Sequence, residues 1–350
     1  MVKDAPGAER QGKRRTARAR VQIGGILETV RLGKSGLSVS KLGLGAMSFG
    51  SPSWRSWVLD EEKARPIIKH ALDLGFSLID TCDYYSLGES EAMLGRLLGG
   101  LIPRNEVVIA TKLGFAMGKG PNNRGYGRKH IFEAVDTSLR RLRTDRIDLL
   151  QTHIWDVEAP IEEMVTAFDD LVRAGKVLYV GATDMPSWQF AKAVYFARHN
   201  GLAEFSTMQN HYNLVWRGDE TELIPFCRSE NIGLLPYSPM GRGFLCGTRR
   251  NTEQTTPRSR DDEYTLKWYG RAQDAEIARR LEDLSGHYSA SPAQLALAWV
   301  LQQPIHAPII GATRIEHLDE AVGALKIKLD PAHCNELQSM YLPRHGYQHK

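Results

Sequence analysis

From residue 42 onward, short apolar runs and longer amphipathic runs alternate along the chain. The short runs cover residues 42–47, 76–80, 107–111, 147–152, 177–183, 205–210, 232–238 and 307–311. Each is rich in Val, Ile or Leu and is bounded by Gly, Pro or charged residues, the pattern of a buried strand. Between them, apolar positions recur at helical spacing over 61–74, 89–99, 130–143, 161–174, 188–199, 221–230, 273–287, 292–303 and 316–325. Helix punctuation supports several of these. Asp60 precedes the first and Gly75 ends it, Gly175 ends the fourth, and Ser291 caps a helix with Pro292 at its first position. Eight strands each followed by helix predict an α/β fold, a (β/α)8 TIM barrel. Upstream, the Gly33-Lys34-Ser35-Gly36 turn within residues 30–45 predicts an N-terminal β-hairpin. Two polar stretches, 113–128 and 241–268, read as mobile loops walling or covering the barrel mouth. A doubly wound open sheet would need a Gly-rich phosphate turn after an early strand. Gly43 and Gly45 are followed by Ser48, with no helix opening there, so that reading fails.

Composition adds limits. The chain has 350 residues, 42% of them apolar, enough for one large core. No run approaches the roughly 20 apolar residues of a membrane helix, and no secretory h-region stands near the N-terminus. Four widely spaced cysteines, Cys82, Cys227, Cys246 and Cys334, suggest neither a disulfide framework nor a zinc site, so a reducing cytoplasm is expected. The formal net charge of +4 is local. Residues 1–20 hold seven basic and two acidic side chains, a net of +5, leaving about −1 for the remainder. Residues 1–28 are therefore expected to be a basic, disordered extension, and 29–350 a single domain. Nucleic-acid and membrane partners are not expected, and the chain is expected as a monomer or homo-oligomer.

The chemistry gathers where strands end. The 76–80 run finishes in Asp80, followed by Asp83, Tyr84 and Tyr85; the next two finish at Lys112 and His153. In a parallel barrel, reacting groups sit at this end of the strands. Taken singly, the Asp reads as a helix cap, the Lys as solvated, the His as a satisfied core residue and the tyrosines as wall aromatics. Four suitable types closing three successive strands read differently. A phenol of ordinary pKa about 10 is a poor acid at neutral pH. An adjacent ammonium is expected to acidify it, a carboxylate to hold that ammonium, and an imidazole to orient a carbonyl oxygen. No metal is required.

These segments resemble the aldo-keto reductases, over about residues 30–325. Asp80 and Tyr85 reproduce the family's Asp-x4-Tyr spacing, continued as Tyr85-Ser86-Leu87-Gly88-Glu89-Ser90-Glu91; Ala110-Thr111-Lys112 and Leu149-Leu150-Gln151-Thr152-His153 match its lysine and histidine segments. The 188–192 and 209–213 segments are similar to the bacterial and fungal branch that includes aryl-alcohol dehydrogenase-like members. The resemblance implies NADPH-dependent reduction of an aldehyde or ketone, with NADH possible, Tyr85 as general acid, Lys112 and Asp80 tuning it, and His153 positioning the carbonyl. It also implies a cofactor site. Gly181-Ala182-Thr183-Asp184 resembles Gly-x-Ser-Asn at the nicotinamide carboxamide, joined by Gln209; Asp184 accepts hydrogen bonds but cannot donate as Asn does. Tyr237 matches the ring that stacks on the nicotinamide. Ser238, Pro239, Met240, Gly241 and Arg242 match the pyrophosphate cradle. Gly311, Thr313 and Arg314 would take the 2′-phosphate, with His317 and Glu320 toward the adenine. Trp54, Trp57, Phe115, Trp155 and Trp216 lie on loops after strands and are the expected substrate-pocket aromatics. Two other classes remain open: a nucleotide-binding regulatory or redox-sensing subunit with little turnover, and a metal-dependent hydrolase built on His153, His211 and Asp80.

Overall fold

Side-chain alternation along the strands sets the architecture. The computed structural model describes residues 27–247 and 257–344. Its main sheet has eight parallel strands: β3 (Gly43–Gly45), β4 (Leu78–Asp80), β5 (Val108–Leu113), β6 (Ile147–Thr152), β7 (Val177–Thr183), β8 (Phe205–Gln209), β9 (Gly233–Leu234) and β10 (Ile309–Gly311). They run in chain order, and β10 returns to pair with β3. The ring closes where Tyr237, beyond β9, bridges Ile309 and the Ile309 amide donates to the Pro236 carbonyl at 2.8 Å. The fold is the expected (β/α)8 barrel.

On one face of each strand, apolar residues point inward. Leu78, Ala110, Leu149, Leu235, Ala307 and Ile309 form an inner core together with Leu32 and Val39. Those last two come from the predicted hairpin, β1 (Thr29–Arg31) and β2 (Ser38–Ser40), which plugs the N-terminal end of the barrel. Gly33 makes this docking possible. Its φ is +55°, and a Cβ there would lie 2.2 Å from the Asn231 carbonyl, which the Lys34 amide reaches at 2.7 Å. Two residues further along the same strand faces come Asp80, Lys112, Gln151 and Tyr237. An apolar floor therefore lies directly beneath a polar layer.

The helices α1 (Glu61–Leu74), α2 (Glu89–Leu101), α3 (Arg128–Leu142), α4 (Ile161–Arg173), α5 (Ser187–His199) and α6 (Leu223–Ser229) surround the ring. α4 shows why: Ile161, Met164, Val165, Phe168 and Leu171 are its buried stripe, spaced at helical period. The Asp60 carboxylate caps α1 by accepting from the Lys63 amide at 3.0 Å, and Gly75 ends it at φ +97°.

Several expectations need correction. Residues 232–238 were expected as one strand, yet the ladder spans only Gly233–Leu234, since Pro236 has no N–H to give. The stretch 241–268 is not irregular throughout: it contains α7 (Pro257–Asp261) and α8 (Glu263–Trp268). After α9 (Ala272–Tyr288), α10 (Pro292–Leu301) and α11 (Ile315–Ala324) comes α12 (Pro331–Ser339), which was not anticipated. In the 113–128 loop, buried Tyr126 holds the chain in place, with its hydroxyl 2.8 Å from the Ile154 carbonyl and 3.0 Å from that of Leu113. Most of the expected basic extension, residues 1–26, lies outside the described residues, as does 248–256. No helix among the described residues is long and apolar enough to cross a membrane.

If the hairpin is a structural plug, emptying its core contact should loosen the whole barrel. Leu32→Ala should cost about 2–5 kcal/mol in urea unfolding. A change under about 0.5 kcal/mol would show that the hairpin is peripheral.

Candidate active site

Asp80 ends β4 and Lys112 stands near the end of neighbouring β5. The Lys112 ammonium donates to Asp80 Oδ1 at 2.6 Å and to the Thr81 carbonyl at 3.0 Å. The other carboxylate oxygen accepts from Gln209 Nε2 at 2.8 Å and Gln151 Nε2 at 3.3 Å. All four side chains are buried. Gly181, opposite Gln151 in the ladder, leaves the necessary room. A Cβ there would fall 2.1 Å from the Thr207 hydroxyl and 3.2 Å from Gln151 Cγ. A buried ion pair survives only when its remaining valences are satisfied, and here both carboxylate oxygens are.

After β4 the chain turns sharply through Ser86 (φ +51°), Leu87 (φ +53°) and Gly88 (φ +95°). That turn sets the Tyr85 ring 5.4 Å from Lys112 Nζ and edge-on to His153 at 5.7 Å. Phe115 closes on the His153 ring at 4.6 Å, Tyr84 stacks on Phe115 at 4.8 Å, and Trp54 meets Tyr84 at 5.9 Å and Tyr85 at 6.5 Å. The His153 amide donates to the Leu113 carbonyl at 3.0 Å and to the Tyr126 hydroxyl at 2.8 Å, which fixes the imidazole's origin. Asp80, Tyr85, Lys112 and His153 therefore share one barrel mouth.

The expected acidification of Tyr85 is not found. Burial pushes its phenol well above the ordinary value; the charges of Cys82 and Asp80 add to this, and Arg242 opposes it. The reason lies in the ion pair: the cation that was to acidify the phenol is matched by a carboxylate 2.6 Å away. Tyr85 keeps its proton at neutral pH.

The other side of the mouth holds the candidate cofactor residues. Thr183 ends β7 with a buried hydroxyl that has no partner among the described residues. Asp184 follows at φ +46°; its carboxylate accepts from the Tyr237 hydroxyl at 2.6 Å and the His211 amide at 3.3 Å. The Tyr237 ring stacks on His211 at 5.1 Å, and His211 on Trp216 at 4.6 Å. Beyond Tyr237, the turn through Ser238, Pro239 and Met240 brings Ser238 (φ +52°), Gly241 (φ +57°), Arg242 (φ +54°) and Gly243 (φ +91°) into left-handed conformations. Such runs make concave nests of amides that suit anions. Arg242 pairs with Asp262 at 2.8 Å, with Trp268 5.3 Å from its guanidinium. At the β10–α11 junction, after Gly311, the Thr313 amide reaches His317 Nδ1 at 3.3 Å and Arg314 lies 3.1 Å from His317 Nε2. Burial, then Arg314, lower the His317 pKa, which favours the neutral ring. Glu320 is exposed one turn on.

The sequence profile of the Aldo/keto reductase family matches residues 41–342. The chain belongs to the aldo/keto reductase family. It is 40% identical over 340 residues to versiconal hemiacetal acetate reductase of Aspergillus parasiticus, covering 91% of this chain and 98% of that one. It is 38% identical over 342 residues to a Saccharomyces cerevisiae protein named as an aryl-alcohol dehydrogenase, covering 91% and 98%. An aldo-keto reductase of Metarhizium robertsii is 36% identical over 341 residues, covering 91% and 92%. This aldo/keto reductase is an oxidoreductase acting on carbonyl or alcohol groups, in a family that uses nicotinamide cofactors.

The expected pocket aromatics separate. Trp54 and Phe115 join the rings beside Tyr85 and His153, and Tyr84 joins them as a wall aromatic. Trp57 is buried beneath the Arg258 guanidinium at 4.5 Å, Trp155 packs on the outer core, and Trp216 sits between His211 and Arg344. The proposed metal trio is not gathered: Asp80 is bound to Lys112, and His211 bonds the Tyr269 hydroxyl within its own aromatic stack. Gln209 directs its amide nitrogen to Asp80. Gln151 was overlooked, although it shares a strand face with Leu149 and His153 and so had to point inward. Asp83 and Glu91 were given no role. Glu91 accepts from the Thr111 hydroxyl at 2.7 Å and Arg141 at 3.2 Å. No side chain donates to either Asp83 oxygen among the described residues; burial, then Glu91, push its carboxyl well above the usual range, against the opposing pull of Arg141 and the Tyr84 amide.

Removing only the cation should be worse than removing both charges. Lys112→Met strands a buried carboxylate and should cost about 3–5 kcal/mol in denaturant unfolding. Adding Asp80→Asn should restore part of that; an additive double mutant would show that the two charges are not coupled.

Proposed function

We propose that this enzyme reduces an aldehyde or ketone to the alcohol, reversibly, with NADPH as the preferred cofactor and Tyr85 as proton donor. The observation that carries this reading is the meeting of Tyr85 with Lys112 and His153 above a fully satisfied Asp80. Residues across the mouth fit the cofactor. The Thr183 hydroxyl, unpartnered among the described residues, and the Asp184 carboxylate suit a carboxamide, the Tyr237 ring a flat heterocycle, and the amide nest of 238–243 a diphosphate. The N-terminus of α11, with exposed Arg314, suits the 2′-phosphate. When bound there, the nicotinamide supplies hydride to the carbonyl carbon. His153 orients the carbonyl oxygen toward Tyr85. Its phenol holds its proton until negative charge grows on that oxygen, then gives it up. The developing phenolate lies beside the Lys112 ammonium, already fixed by Asp80, so little reorganisation is needed. Trp54, Tyr84 and Phe115 make a wall suited to flat, ring-bearing substrates, the class for which the Saccharomyces cerevisiae relative is named.

Tyr85→Phe should lower carbonyl reduction by about 10²–10⁴-fold while NADPH still quenches tryptophan fluorescence. Wild-type turnover in that variant would refute the assignment. Arg314→Ala should raise the KM for NADPH by roughly tenfold or more, as expected for a lost charge-assisted contact, and leave NADH kinetics nearly unchanged. Equal losses with both cofactors would remove Arg314 from phosphate recognition.

A further inference from the structure

Beyond the end of β4, three side chains that the mechanism does not use together converge. Cys82 Sγ, an Asp83 carboxylate oxygen and a ring nitrogen of His153 all lie within 4.8 Å of one another. Cys82 and Asp83 are buried, and His153 is half-buried at the mouth. The Asp83 carboxylate receives no side-chain hydrogen bond among the described residues, and its own amide is held by the Lys112 carbonyl at 3.1 Å. A buried carboxylate left without a side-chain donor is costly, and a cation would relieve it. Among the described residues, the two neighbouring cations are held elsewhere: Lys112 by Asp80 and Thr81, and Arg141 by Glu91.

The donor set selects the kind of cation. One thiolate, one imidazole and one carboxylate suit zinc and similar soft divalent ions; calcium and magnesium prefer all-oxygen shells. Bonds of about 2.0–2.3 Å place tetrahedral donors roughly 3.3–3.8 Å apart, so small side-chain rotations close the observed separations. Three protein ligands leave a fourth position for water.

We propose that Cys82, Asp83 and His153 form an inhibitory site for a soft divalent cation, of which Zn²⁺ is the best match. Binding forms metal–sulfur, metal–nitrogen and metal–oxygen bonds and releases the Cys82 proton, together with any proton held by Asp83, to solvent. No atom changes oxidation state. Thiolate and carboxylate together cancel the charge of the ion in a buried place. A ligated His153 no longer meets the carbonyl oxygen, so metal and carbonyl compete. That last consequence rests on the function proposed above; the binding itself does not.

Cobalt, added to the purified full chain, tests the site by absorption. One equivalent of Co²⁺ should give a thiolate-to-cobalt charge-transfer band in the near ultraviolet, and Zn²⁺ should displace it. Cys82→Ala should abolish the band and weaken Zn²⁺ binding at least about tenfold. Asp83→Asn should weaken binding while keeping the band, and it carries the test if Cys82→Ala fails to fold. In steady-state assays, Zn²⁺ should raise the wild-type KM for the carbonyl, while Cys82→Ala turns over normally and resists the metal. A wild-type protein without the band, or Cys82→Ala binding zinc as tightly as wild type, would overturn the proposal. A Cys82-dependent band in a protein inactive toward every carbonyl would support the site and refute the catalytic reading instead.

Discussion

The buried ion pair between Lys112 and Asp80 is the constraint that orders the barrel mouth. Two charges withdrawn from water cost several kcal/mol each unless their geometry and remaining hydrogen bonds are nearly ideal. That requirement reaches well beyond the pair. Gln209 must come from β8 and Gln151 from β6 to satisfy the second oxygen. Between those strands lies β7, where Gly181 must lack a side chain so that Gln151 and Thr207 fit. Five neighbouring strands are thus fixed in register by one carboxylate. A site assembled this way is preorganised, because its polar groups are already oriented before a substrate arrives.

Beneath that layer the hairpin closes the barrel with apolar side chains. Leu32 and Val39 complete a floor of Leu78, Ala110, Leu149 and Leu235 under the charges. Low polarity strengthens the ion pair and also raises the Tyr85 pKa, and the second effect outweighs any help from Lys112. The cation and its carboxylate act as a neutral unit toward a neutral phenol. They respond only when the phenol begins to lose its proton. Stabilisation that appears with developing charge is the kind that accelerates a reaction.

Much of this was legible in sequence because strands alternate. Once Leu78, Ala110 and Leu149 are taken as inward, Asp80, Lys112, Gln151 and His153 must follow on the same face. α12 was legible too: Asp330-Pro331 repeats the cap-then-proline grammar of Ser291-Pro292, and the Asp330 carboxylate does cap it, accepting from the Ala332 amide at 2.7 Å. The fates of the pocket tryptophans were not legible. Whether Trp57 faces substrate or Arg258 depends on a segment some 200 residues away, and Trp216 answers to Arg344 near the other end of the chain. Loop position shows that an aromatic is near the mouth; only tertiary contact shows which way it faces. The same limit explains Tyr85, whose pKa was argued from the neighbouring cation and its carboxylate without the burial that raises it.

Asp80 and Asp83 put the same chemistry to opposite uses within one turn of chain. Asp80 still belongs to the strand, faces the barrel interior and receives three donors. Asp83 follows the strand, turns toward Glu91 and receives no side-chain donor among the described residues. Architecture gives no reason for the second arrangement. β4 has already ended, the hairpin does not reach so far, and the Asp83 backbone is held by the Lys112 carbonyl whatever side chain it carries. A neutral residue of similar size would meet the packing demands without the electrostatic loss. Where a fold tolerates an unsatisfied buried group that its stability does not require, the reason is sought in function. Here the group stands beside the imidazole at the mouth of the site, so its cost falls where a ligand, and not the folded core, can offset it.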